Sequence, residues 1–121
     1  MNDAESIRQV MQDKHLASLG DAYVNFVYSL ALTKIKGVPE GVKVSDRVLA
    51  TAFKLAGLRK FLGTRIDRKD LANATEALLF EAYQKRLISI DESVQVIAQN
   101  PEGPRSGLSD LLKVAVMRLD K

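Results

Sequence analysis

The chain has no cysteine, no tryptophan, a single histidine (His15) and three prolines in 121 residues. Without cysteine there is no disulfide, no thiolate metal site and no cysteine nucleophile. One histidine excludes a histidine-rich zinc centre. No serine or aspartate is spaced around His15 as a nucleophile with its base, so His15 reads as solvent-facing. Long hydrophobic runs are missing as well. The most apolar stretch, residues 22–35, is broken by Asn25, Ser29 and Lys34; it is too short to cross a bilayer and reads as a buried helix. The opening Met1-Asn2-Asp3-Ala4-Glu5 is acidic and polar, the opposite of a secretory leader. The expectation is a soluble, cytoplasmic chain with no membrane partner.

What is present is ordinary for a folded protein: 46% hydrophobic and 27% charged residues, which argues against disorder. The length suits a single domain over 1–121, able to bury roughly two thirds of the surface its unfolded chain exposes. Two stretches rich in glycine and proline read as loops: Gly37-Val38-Pro39-Glu40-Gly41 and Pro101-Glu102-Gly103-Pro104-Arg105-Ser106-Gly107. Elsewhere apolar residues recur at three and four. The series are Val24, Val27, Ala31, Ile35; then Val48, Ala52, Leu55, Leu62 with Leu49 and Phe53; then Leu71, Thr75, Leu78, Ala82, Leu87; then Leu108, Leu111, Leu112, Ala115 and Met117 to Leu119. Ser45 before Asp46, Ser89 with Glu92, and Ser109-Asp110 stand where helices open. No stretch alternates with period two. The spacing predicts an all-α fold of about six helices, near 4–17, 20–35, 46–62, 69–87, 90–99 and 108–119.

Net charge is +3, unevenly placed. Residues 42–70 carry Lys43, Arg47, Lys54, Arg59, Lys60, Arg65, Arg68 and Lys69 against Asp46, Asp67 and Asp70, a net of +5 between two segments of −1 each. Such a cluster suits phosphate binding, and it equally suits the wet face of a helix.

Two shorter stretches say more. In Leu16-Ala17-Ser18-Leu19-Gly20-Asp21-Ala22, Gly20 interrupts a helical pattern and Asp21 stands where a new helix is expected to begin. In Asp70-Leu71-Ala72-Asn73-Ala74-Thr75-Glu76-Ala77-Leu78, Asn73, Glu76 and Phe80 share one helix face while Leu71, Thr75, Leu78 and Ala82 share another. A carboxylate and an amide oxygen on adjacent turns suit a hard cation such as Mg²⁺. Taken singly, each has a plainer reading: Asp21 as a helix cap, Glu76 as a surface glutamate, and Asn-Ala-Thr as a chance glycosylation match.

Together and in this order, the two stretches resemble the signatures of the ribonuclease III endonuclease domain. Leu16, Leu19, Gly20, Asp21 and Ala22 match the family's ERLEFLGDA, and Leu71, Ala72, Glu76, Ala77 and Leu78 match its LADxxEALIG. The resemblance implies an all-helical homodimer that cleaves double-stranded RNA with Mg²⁺ (or Mn²⁺), with Asp21 and Glu76 as metal-site carboxylates. Two family acids are replaced, by Ala17 and Asn73, while Lys14 stands for the leading Glu and Ser18 for an aromatic at the subunit contact. With no room for an appended RNA-binding domain, the chain is most similar to the compact Mini-III branch, which also lacks acids at those two positions and suggests ribosomal RNA precursors as substrate.

The resulting expectation is a metal-dependent endoribonuclease. Asp21 and Glu76 would be catalytic, with Asn73 a neutral third donor or an orienting group. Lys54, Arg59, Lys60, Arg65, Arg68 and Lys69 would contact RNA phosphates, and exposed apolar surface on residues 22–35 would form the dimer contact. Two alternatives stand beside it: a catalytically inactive ribonuclease III-like RNA-binding protein, and a helical interaction module without an RNA role.

Overall fold

Residues 68–84 fold as a helix with almost no wet face: Leu71, Ala72, Ala74, Thr75, Glu76, Ala77, Leu78, Leu79, Glu81 and Ala82 are all buried. A helix that is apolar most of the way round must be surrounded, and in the computed structural model, which describes residues 3–63 and 65–120, it is the central element. In chain order the elements are α1 (Asp3–Met11), α2 (Lys14–Lys36), α3 (Asp46–Leu55), a 3₁₀ turn (Arg59–Phe61), α4 (Arg68–Gln84), α5 (Ile90–Gln99) and α6 (Pro104–Leu119). Helices α1, α2, α3 and α6 pack on α4, and α5 closes the core against α2 and α6. No strand occurs among the described residues, and the expected all-α class holds. Met1 and Asn2 of the polar opening lie outside the described residues. No described helix is long and apolar enough to cross a membrane.

Phe53, Leu49, Leu78, Leu79, Ile97, Leu108, Leu111 and Leu112 are the largest fully buried side chains. Truncating one such leucine to alanine costs about 2–5 kcal/mol. The Thr75 hydroxyl donates to the carbonyls of Leu49 (3.0 Å) and Leu71 (3.1 Å), so a buried polar group also ties α4 to α3. Three members of the apolar series are exposed instead: Ile35, Leu55 and Met117.

Several boundaries differ from the expectation, each for a local reason. Helix α1 stops at Met11, and Asp13 caps α2 by accepting from the amides of His15 (2.9 Å) and Leu16 (3.0 Å). Consequently α2 runs unbroken through Gly20, and Asp21 is no helix start. Helix α3 ends at Leu55, not near 62, in a Schellman turn. Gly57 takes left-handed backbone (φ 73) and donates to Lys54 O (3.0 Å), and Leu58 donates to Phe53 O (3.5 Å). Helix α6 begins a turn early, at Pro104, where a missing N–H costs nothing. Pro104 to Gly107 are thus helix rather than loop, and Ser109 is buried rather than a cap. Ser45 caps α3 as expected, accepting from Val48 N. Ser89 caps α5 by accepting from Glu92 N (3.0 Å), but the Glu92 carboxylate, which a capping box would return to the Ser89 amide, turns to Arg118 at 2.7 and 2.9 Å.

Candidate functional site

Gly20 lies where α2 crosses α4. A Cβ on it would stand 2.9 Å from Glu76 Cα and closer still to the Glu76 carbonyl oxygen, so only glycine lets the two backbones meet. The glycine that the sequence pattern suggested as a break is therefore the contact point. Its consequence is chemical: Asp21, the next residue, comes to lie beside the Glu76 side chain across the helix pair.

The cleft at this crossing has a volume of about 650 Å³ and is lined by Lys14, Ala17, Ser18, Asp21, Lys43, Val44, Ser45, Asp46, Lys69, Asn73 and Glu76. The two signature acids and Asn73, expected to share a site, do share one. Glu76 is only 6% exposed, so the surface-glutamate reading does not hold. Burial, followed by its contact with Asp21 and the charges of Asp21 and Asp46, pushes its carboxyl up to about 8, with Lys69 partly offsetting this. Asp21 moves the other way. The Lys43 ammonium holds it below the usual carboxylate range, helped by a hydrogen bond from Glu76 and opposed by some desolvation. Glu76 therefore keeps its proton to higher pH than Asp21, and the two carboxyls titrate as a coupled pair.

Lys43 was grouped with the basic segment by sequence but not seen as part of this site. Its Nζ is 2.9 Å from Asp21 Oδ1. It arrives there because the extended stretch after α2 is fastened back along that helix. Asn25 Oδ1 accepts from Val44 N (2.7 Å), Ser29 Oγ from Val42 N (2.9 Å) and Thr33 Oγ1 from Glu40 N (3.0 Å). Asn25 also donates to Asp21 Oδ1 at 3.2 Å. Asp21, Asn25, Ser29 and Thr33 are spaced by four, one per turn along one face. The polar interruptions of the apolar stretch were the signal that could have revealed this.

Asp46, first residue of α3, was likewise missed as a cleft residue; it pairs with Lys69 at 3.6 Å. Among the described residues no three of His, Asp and Glu converge as a metal cluster, so a cation here would meet Asp21, Glu76 and neutral oxygens such as that of Asn73.

Of the six cations expected on RNA, Lys69 lines the cleft. Lys54, Arg59, Lys60, Arg65 and Arg68 are exposed on the end of α3, the 3₁₀ turn and the approach to α4. A second hollow, lined by Lys14, Leu62, Ile66, Asp70 and Asn73 among others, shares Lys14 and Asn73 with the cleft and leads toward that basic turn. His15 is exposed, as expected.

A family model described as Ribonuclease III matches residues 14–110, from the first residue of α2 into α6, a span that contains the whole cleft. No curated protein matches the chain. The extent of that match, on an all-helical fold with both signature acids in one cleft, places the chain in the ribonuclease III family as an RNA-cleaving endonuclease-like domain.

Proposed function

We propose that this protein is a divalent-cation-dependent endoribonuclease that cuts double-stranded or structured RNA as a homodimer, ribosomal precursors being a candidate substrate. The observation that carries the reading is the convergence of Asp21 and Glu76, two acids far apart in sequence, in a cleft with Asn73 and three lysines. A buried carboxyl raised to about 8 beside a second carboxylate is an arrangement that a cation relieves, and carboxylate and amide oxygens are the hard donors Mg²⁺ takes. The donor set therefore fits Mg²⁺ or Mn²⁺, held weakly until RNA phosphates add their oxygens. When bound, the ion supplies Lewis acidity at the scissile phosphate and a readily ionised water.

The residues of the chain do the rest. Asp21 and Glu76 would hold the ion, and Asn73, one turn before Glu76, would offer an amide to ligate it or to orient water. In the reaction, water oxygen bonds to phosphorus, the water proton departs, and the P–O bond to the leaving oxygen breaks as that oxygen gains a proton. Lys69 in the cleft, with Lys54, Arg59, Lys60, Arg65 and Arg68 beyond the second hollow, would grip phosphates of a duplex recognised by shape. Leu19, Ala22, Phe26 and Leu30 follow one another along the exposed side of α2, and Leu19 and Phe26 are more than half exposed. A second copy on this stripe would bring two clefts together across a dyad, as cutting both strands requires.

The test is incubation of the purified protein with duplex RNA and Mg²⁺ or Mn²⁺. Cleavage is expected, and Asp21→Asn or Glu76→Gln should reduce it by at least about 10²-fold with duplex binding retained. Salt-sensitive duplex binding with no cleavage under any divalent ion would overturn the enzyme reading and leave an RNA-binding member of the family.

A further inference from the structure

Beside the two signature carboxylates of the cleft stands a positive charge carried on a fastened backbone. Phosphodiester cleavage is commonly assisted by two cations, one on each side of the phosphorus; the positions of Ala17 and Asn73 provide no acid for a second divalent ion, and Asp46, the third acid of the cleft, is paired with Lys69. Three lysines line the cleft: Lys14, Lys43 and Lys69. Lys69 is turned to Asp46. Lys43 alone among them meets one of the two signature acids, at 2.9 Å.

Two features set Lys43 apart from an ordinary surface lysine. Its backbone is locked: Val42 N and Val44 N, on either side, both donate to side chains of α2, and Val44 is buried. Its side chain is open, 73% exposed against 45% for Asp21. An exposed pair of this kind is worth little to stability, so the lysine is free to leave Asp21 for a phosphate that enters the cleft.

Building on the nuclease reading, we propose that Lys43 is a catalytic residue whose ammonium, carried on the fastened stretch beside Asp21, faces the scissile phosphate in place of a second divalent cation. As the bond from water oxygen to phosphorus forms and the bond to the leaving oxygen breaks, negative charge grows on the non-bridging oxygens. Lys43 donates hydrogen bonds to one of them and keeps its proton throughout.

The full-length protein and its K43M and K43R variants test this by three measurements: single-turnover cleavage of duplex RNA at saturating Mg²⁺, Mn²⁺ binding followed by electron paramagnetic resonance without RNA, and thermal unfolding. K43M should cleave about 10²-fold more slowly, the size of effect seen when one transition-state donor is removed. K43R should keep most of the activity. Mn²⁺ binding by K43M should be as tight as in the parent protein or tighter, because a cation competing for Asp21 is gone, and its unfolding midpoint should not move. Parent-like or faster cleavage by K43M would overturn the proposal, and so would a parallel loss of Mn²⁺ binding, which would make Lys43 a mere organiser of Asp21. If K43M matches a parent that Asp21→Asn inactivates, only the lysine's role fails. A parent protein that cleaves no duplex removes the nuclease reading and this proposal with it.

Discussion

Two sides of helix α2 invert the usual rule for polar and apolar surface. Asp21, Asn25, Ser29 and Thr33 make a polar row that is engaged along its length, gripping Lys43 and the amides of Val44, Val42 and Glu40. Leu19, Ala22, Phe26 and Leu30 make an apolar row that stands in solvent. A third side, with Ala17, Gly20, Val24, Val27 and Ala31, is buried. The difference teaches that short polar side chains on this helix serve as clasps for neighbouring backbone, because a buried amide must find an acceptor. The greasy row has no such task within the chain, and contiguous exposed apolar surface is the mark of a contact made elsewhere.

The largest expected effect comes from disturbing the side against which both rows are set. Gly20→Ala drives a methyl into the Glu76 backbone and should destabilise the fold by about 3 kcal/mol, read from urea unfolding, while abolishing cleavage. Next is the acid pair at the end of the polar row. The Glu76 carboxyl titrates near 8 when folded against an ordinary 4.5, so the folded chain keeps a proton that the unfolded chain releases. In divalent-free buffer stability should therefore fall as pH rises from the lower value to the higher. Glu76→Gln should flatten that slope and, at its alkaline end, raise stability by on the order of 2 kcal/mol, measurable by thermal melts across the interval.

Ser29→Ala cuts one clasp, leaving Val42 N–H and C=O without the hydroxyl at 2.9 and 3.2 Å. It should cost about 1 kcal/mol and slow cleavage by loosening the stretch that carries Lys43; a chemical-denaturation curve identical to that of the parent would break the comparison. Phe26→Glu sharpens it from the other row. Folding stability should change by no more than about 0.5 kcal/mol, whereas sedimentation velocity should show a single copy where the parent shows two. A variant that sediments like its parent would remove the apolar row from the dimer contact.

Much of the architecture was legible because burial leaves a period in sequence. The series through Leu71, Thr75, Leu78 and Ala82 announced α4 and its inward side, and Ser45 announced the start of α3. Ends were less legible. Gly57 could equally have sat inside a longer helix, and the Schellman turn that ends α3 depends on Leu58 finding the core, which is a tertiary event. The candidate site divided in the same way. Asp21, Asn73 and Glu76 stood in recognisable strings, whereas Lys43 and Asp46 enter the cleft only because a loop folds back on α2 and α3 begins beside it. Gly20 shows the limit most plainly: from sequence alone, a glycine that ends a helix and one that lets two helices touch look alike.

That ambiguity has a counterpart at Gly107, whose added Cβ would meet Ile97 Cα at 2.7 Å as α6 crosses α5. At both crossings the opposing atoms belong to main chain, which every amino acid shares. No exchange at Glu76 or Ile97 could carve out space for a bulkier neighbour, so second-site suppressors of a substitution at either glycine should not arise at the facing residue. Rescue would have to come from shifting a whole helix, and a saturation library should find these two positions the least forgiving in the chain.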